Sequence, residues 1–415
     1  MLKSGGRLHR WFHALTGDFG KFWTGQTISS FGSAFTSFAL PVLVYQRTGS
    51  ALGLAITSAA AFLPWPLFGL LIGAWVDRVD RRRLMIVTDL LSACALASIP
   101  PLLASAGTFA IWWIYVMAFV TATLSVGFTL AQIAAVPSLV SSDELVTANG
   151  RVQASYSAAA IAGPALAGVL ATWLAAPALL YFDAVSFLIS AGSLALIRTS
   201  FNTAQKKPTT TIRRDIVEGL RYVVQQPVVR SIVAMAAFAN FLIPTVRAQL
   251  VLFADQRFHV TAIELSWLFA AGPAGALVFS LVAGRVNRRW AFSRIALGSS
   301  LLYGLLITLL ALAPWFWSAL VLLLASAGLL TLFNITQGSL RQRIVPRELY
   351  GRVGSAVNVI AQSSAPLGAL VGGFVITATN NVALVYGGIG LLMMVMSVGF
   401  AYTSLGQAEK YIPTD

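Results

Sequence analysis

The chain has 415 residues, of which 57% are hydrophobic and only 10% charged, and its mean hydropathy is +0.79. Soluble domains carry roughly 25% charged residues, and no aqueous core absorbs so much apolar surface, so a soluble enzyme or binding module is excluded. The formal charge of +14 does not mark a nucleic-acid binder, because Lys and Arg fall in short connections between apolar runs, where they set membrane topology.

The N-terminal stretch MLKSGGRLHRWFHALTGDFGKFW is basic and aromatic. The apolar run behind it exceeds the ~7–15 residues of a signal-peptide core and lacks an A-x-A cleavage site, so it reads as a retained first span. Spanning helices need about 20 mostly apolar residues, and that rule marks twelve. The first six are 22–45, 51–76, 84–104, 109–136, 153–174 and 178–197, and the second six are 233–254, 262–283, 295–313, 315–340, 354–378 and 382–402.

In the first span, Ser29, Ser33 and Ser37 follow one another at helical spacing. After the second comes GAWVDRVDRRR at 73–83, and a weaker copy, SLVAGRVNRR, recurs at 280–289. Cys94, the only cysteine, lies inside an apolar stretch, so the chain builds neither a disulfide framework nor a Cys-based zinc site. Asp89 lies just inside the third span, and Gln132 lies in the fourth. The repeat returns at ELVTANGRV (144–152) and ELYGRV (348–353), each followed by a small-residue run, GPALAG at 163–168 and APLGALVGG at 365–373. One membrane unit has thus been built twice, a plan suited to alternating access about a site at the interface of the repeats.

The longest polar interruption, 199–228, holds QKKPTTT and then IRRDIVEGLRYVVQQP. Ile212, Ile216, Leu220 and Val223 form one helical stripe, which predicts an amphipathic helix on the cytoplasmic membrane face, ended by Pro227. The expected organisation is therefore an N-terminal six-helix bundle at 1–198, a linker at 199–228 and a C-terminal six-helix bundle at 229–415. On alternate sides of these spans, every one of the 28 basic residues except Arg47, Arg247 and Arg257 falls on one side. The positive-inside rule then places both termini in the cytoplasm, in the inner (plasma) membrane.

Charged residues within spans are expensive and mark candidate sites. Asp183 in the sixth span and Arg247 late in the seventh are the clearest, with Glu264 at the outer start of the eighth. Arg247 is read either as a site for an anionic substrate or as paired to Asp183 or Glu264. The remaining polar groups, Ser29, Ser33, Gln132, Asn240, Asn334, Gln337, Asn358 and Gln362, outline a mostly apolar cavity suited to amphiphilic molecules of drug size. Helix-to-helix hydrogen bonding is the alternative role of each. No G-x-x-x-x-G-K-[ST] loop occurs, and no His/Cys cluster or Ser/His/Asp context is present, so no enzyme activity, metal or cofactor is expected.

The twelve-span layout, the loop after the second span and the long loop after the sixth resemble the major facilitator superfamily. More narrowly, VPSLVSSDELVTANG, YFDAVSF and EGLRYVVQQPVVRSIV resemble its branch of enterobactin-exporter-like and macrolide-efflux-like proteins. The resemblance implies an all-α membrane protein of two pseudo-symmetric six-helix bundles. It also implies a conformational latch, G-x-x-x-D-R-x-x-R-R, carried by Gly73, Asp77, Arg78, Arg81 and Arg82, with Asp77 meeting the start of the eleventh span near 352–355. Asp80 stands where the superfamily usually has Gly, and Gly284 replaces the aspartate in the second copy. GPALAG resembles the end of the antiporter motif of drug exporters, carried by Gly163, Pro164 and Gly168; tight packing is its plainer role. Asp183 belongs to FDAVSF, where a structural hydrogen bond is expected over proton transfer.

The function expected is secondary-active efflux of an amphiphilic drug, antibiotic or siderophore by alternating access with proton antiport. Its partners are the substrate, protons and membrane lipids, with no nucleic acid, and the protein acts as a monomer. The fourth span lacks the arginine of many proton-coupled drug antiporters. The alternatives are a lipid or lysolipid flippase of the same fold and a membrane receptor or sensor that does not transport.

Overall fold

The computed structural model describes residues 17–76, 78–105, 109–202, 212–346 and 349–411, and what is described is helical. The first span is α1 (Asp18–Thr48). The second is broken into α2 (Ala51–Phe62) and α3 (Pro64–Val76), and the third into α4 (Arg81–Ala97) and α5 (Ile99–Ser105). Then follow α6 (Phe109–Leu139), α7 (Leu145–Leu170) and α8 (Ala176–Ala195). The linker contributes α9 (Ile212–Gln225). The seventh span is again broken, into α10 (Pro227–Ala248) and α11 (Leu250–Phe258). The rest are α12 (Ala262–Arg289), α13 (Phe292–Ala311), α14 (Phe316–Ile344), α15 (Tyr350–Thr379) and α16 (Val382–Ala401).

Among the described residues, 11 spans are long and apolar enough to cross a membrane. The fifth expected span, α7, has the length at 26 residues but starts earlier than its apolar core, at the polar turn that carries Asn149, Arg151 and Gln153. Counting it gives the twelve-helix layout. Exposed tryptophans, including Trp75, Trp112, Trp173, Trp290, Trp315 and Trp317, sit near the ends of the spans. That is the placement of an interfacial aromatic belt.

The chain divides into two compact units, residues 1–47 with 63–206 and residues 48–62 with 207–415. In the first unit α4 packs on α8, and α3 packs on α6. In the second, α13 packs on α16 and α12 on α14, the same neighbours six spans later. The first-to-fifth contact of one unit, where an added Cβ on Gly163 would lie 2.4 Å from Ala34 Cβ, has its counterpart between α15 and α10, where Gly368 lies against the carbonyl of Phe241. Lipid offers no hydrophobic drive between helices, so small residues that let backbones approach carry this packing. The core of the first unit gathers Phe22, Met85, Ala131, Ala135, Leu194 and Phe201.

The first part of the second span, α2, belongs to the second unit and packs on α15. Gln249 Nε2 donates to the Ala51 carbonyl at 2.8 Å there. The break between α2 and α3 falls at Leu63, before Pro64 and Pro66, where the missing N–H groups interrupt the helical ladder.

Helix α9 packs on α15. An added Cβ on Gly219 would fall within 2.5 Å of the Arg352 carbonyl, so the helix is seated directly on the start of α15. Glu218 pairs with Arg352 at 2.6 Å, and Tyr222 Oη donates to the Ile344 carbonyl at 3.2 Å. Val223 is buried, whereas Val217, Leu220 and Val224 form an exposed apolar stripe. Of the expected stripe, Val223 and Leu220 therefore point to different surroundings.

Candidate functional site

The loop at 73–83 is organised around the end of the sixth span. Asp80 caps α4, its carboxylate accepting from the Arg83 amide at 2.9 Å. Arg81 is buried, and its Nη1 donates to the Phe201 carbonyl at 3.2 Å and the Ala134 carbonyl at 3.4 Å. Arg82 Nε donates to the Leu194 carbonyl at 2.8 Å, and its Nη2 to Ala195. The Leu194 and Ala195 carbonyls close α8, where the helix dipole favours a cation; Leu194 accepts the Ile197 amide at 3.3 Å as well. Arg78 is exposed, and an added Cβ on Gly73 would touch only the Leu130 side chain at 3.8 Å. Asp77 lies outside the described residues, as do Lys206, Lys207, Arg347 and Glu348.

The second copy is built differently. Here α12 runs on through Arg289, Asn287 accepts from Thr336 Oγ1 at 3.0 Å, and Arg288 bonds back to the Gly284 carbonyl. The start of α13 is capped from a distance by Glu409, which accepts from the Ser293 amide at 2.9 Å.

Within the first unit, polar groups converge on the sixth span. Asp183 is buried and accepts from Thr36, from Ser186 at 3.1 Å and from Ser33 at 3.4 Å. Gly32 makes this possible, since a Cβ there would collide with Ser186 Oγ and with Asp183 Oδ1. Ser190 accepts from Gln26 at 2.9 Å and lies beside Asp89. Asp89 is only 2% exposed, and its Oδ2 has no hydrogen-bond partner. Nearby in the chain's order of spans, Gln132 accepts from Tyr156 at 2.9 Å, and Ser29 is buried. Gly163 packs on Ala34, while Pro164 and Gly168 are buried within α7.

Within the second unit, a cavity of about 330 Å³ opens among α10, α12, α13 and α14. Its wall is mostly apolar, with Phe269, Pro273, Leu323 and Leu330, and its polar groups are Arg247, Tyr303, Ser326, Thr331 and Asn334. Arg247 enters it one turn after Pro244 and two residues before the break at Gln249. Within this unit Glu264 is consumed by a capping box with Thr261, to which it is bonded at 2.8 Å, rather than by Arg247. Of the other expected cavity residues, only Asn334 lines this space. Asn240 bonds back to the Ala236 carbonyl at 2.9 Å, Gln337 is buried with its Nε2 unpartnered, and Asn358 and Gln362 are exposed on α15.

The family model described as transmembrane secretion effector matches residues 14–414. The chain is 25% identical to macrolide efflux protein A of Streptococcus pyogenes over 84% of its own length and 87% of that protein. It is 28% identical to the multidrug efflux pump Tap of Mycolicibacterium fortuitum, over 82% of this chain and 85% of that one. A bacterial homologue of the human lysosomal transporter Spinster superposes with a TM-score of 0.74 at 13% identity, covering 96% of this chain and 98% of that one. The nucleoside transporter NupG superposes with a TM-score of 0.71 at 13% identity, covering 95% and 99%. At such identities the structures speak for the fold alone.

Proposed function

The chain belongs to the transmembrane secretion effector family of the major facilitator superfamily, and we propose that it is an efflux transporter that exchanges an amphiphilic small molecule for protons. The relatives named as macrolide and multidrug efflux proteins support the direction of transport. The observation that carries the substrate class is the cavity of about 330 Å³ in the second unit, with apolar walls and a few polar groups. Such a lining favours an apolar body with a small polar part, whereas a sugar would ask for many more hydrogen-bonding side chains.

For the proton we assign Asp89. Asp183 has three hydroxyl donors and fits the structural role, holding the first span to the sixth. Asp89 is buried, with Ser190 bonded to the carboxyl and Oδ2 left unpartnered, and a buried intramembrane carboxyl is a candidate relay. Binding and releasing a proton there in alternate states would couple the gradient to substrate movement. The bundles at 1–198 and 229–415, joined by 199–228, are then the bodies that alternate access. The protein works as a monomer in the inner membrane with both termini in the cytoplasm, and the basic loops support this orientation.

The reading is tested in cells expressing the chain and loaded with amphiphilic dyes and antibiotics. Lower accumulation that an uncoupler reverses is expected. Accumulation equal to that of cells lacking the chain, across neutral, cationic and anionic compounds, would overturn it in favour of lipid movement or sensing.

A further inference from the structure

Arg247 is the cation that the second unit's cavity presents to whatever enters it. It belongs to a span, where a lone charge is costly and marks function. Among the described residues the structure gives it no hydrogen bond and no carboxylate. Glu264, the acidic residue of the same unit read as its partner, is committed to the Thr261 cap. Asp255, on the same broken span, is absent from the cavity lining.

The helix departs only mildly beside it: Gln249 has φ −96° and ψ 9°, while its amide still bonds the Thr245 carbonyl at 3.0 Å and its carbonyl accepts from the Phe253 amide at 2.9 Å. Across from the arginine, Thr331 and Asn334 lie on one face of α14 and Tyr303 on α13, offering neutral hydrogen-bonding groups beside the charge. The rest of the lining is apolar. A planar guanidinium in such surroundings binds an oxyanion through parallel N–H bonds far better than a neutral group, and it repels a cation.

We propose that this cavity is an anion-selective subsite: Arg247 receives a carboxylate, sulfonate or phosphate group of an amphiphile whose apolar body lies against Phe269, Pro273 and Leu330. The inference rests on the efflux reading for its physiological meaning, but the binding step is independent of flux.

The test uses the full-length protein in phosphatidylcholine nanodiscs and two fluorescent probes with the same aromatic body, 1-anilinonaphthalene-8-sulfonate and N-phenyl-1-naphthylamine, which lacks the sulfonate. Arg247→Met is expected to weaken binding of the sulfonate about tenfold or more, the worth of a charge-assisted hydrogen bond, and to leave the neutral probe within about twofold on the same scale. Arg247→Lys, which keeps the charge and loses the fork, is expected to fall between. Equal sulfonate affinity in wild type and Arg247→Met overturns the proposal, and so does equal loss of both probes in Arg247→Met and Arg247→Lys. Uptake of both probes into inverted vesicles, measured in parallel, separates the two readings. Sulfonate binding through Arg247 without flux of either probe would contradict efflux alone, whereas flux of the neutral probe with a silent Arg247 would contradict the subsite alone.

Discussion

Arg82 Nε hydrogen-bonds the carbonyl of Leu194 at 2.8 Å, tying the start of the third span to the end of the sixth. Arginines in such loops serve as topology signals, but this one also closes a helix terminus. Replacing it by Met removes the charge-assisted bonds to the Leu194 and Ala195 carbonyls, leaving Leu194 the long bond from the Ile197 amide at 3.3 Å, and the lost bonds are worth about 1–2 kcal/mol. Arg82→Met should lower the thermal unfolding midpoint in detergent, whereas Arg83→Met, on an exposed side chain, should leave it unchanged.

Asp80 stands where the superfamily resemblance leads one to expect Gly, and its carboxylate caps α4. Removing an N-cap by Ala costs about 1 kcal/mol, but by Gly only a few tenths. Asp80→Ala should therefore destabilise the protein measurably while Asp80→Gly stays close to wild type. Equal effects of the two in thermal unfolding would show that the cap is not what Asp80 contributes.

The contact of Gly163 with Ala34 joins the fifth span to the first. A methyl at position 163 has nowhere to go unless the helices part, and overpacking of this kind costs about 1–3 kcal/mol. Gly163→Ala should lower stability and transport, and adding Ala34→Gly should restore most of both. A double variant no better than the single one would place the constraint elsewhere.

Gly219 seats α9 on the Arg352 carbonyl, next to the Glu218–Arg352 ion pair. Gly219→Leu should unseat the helix at a cost of about 1–3 kcal/mol and speed amide hydrogen exchange across 212–225. Glu218→Gln removes only a part-exposed pair and should change exchange little.

Apolar length made the spans legible in the sequence, and the repeated loops placed their symmetry, because both depend on local composition. Breaks within spans were not legible in the same way. Hydropathy is blind to whether a run is one helix or two, so Gln249 looked like any other polar residue, and 51–76 was read as one span despite Pro64 and Pro66. Burial partners were hidden for the same reason. Asp183 was recognised as costly and structural, yet nothing local to it names Thr36, Ser33 and Gly32 from the first span. Arg247 was marked by its charge alone; what distinguishes it is that Glu264 is occupied by its own helix cap, a relation that the T-x-x-E spacing at 261–264 does encode. The stripe of α9 misled in part, because Gly219 has no side chain to weigh in an amphipathic pattern and yet marks the docked face.

Proton-driven efflux is tested most directly by uptake of N-phenyl-1-naphthylamine into inverted membrane vesicles under an imposed pH gradient, comparing the intact protein with Asp89→Asn. The account predicts uptake that collapses with an uncoupler, and an Asp89→Asn variant that equilibrates the dye down its own gradient but no longer concentrates it. Concentrative uptake by Asp89→Asn equal to wild type, or uptake in wild type indifferent to the pH gradient, would contradict it.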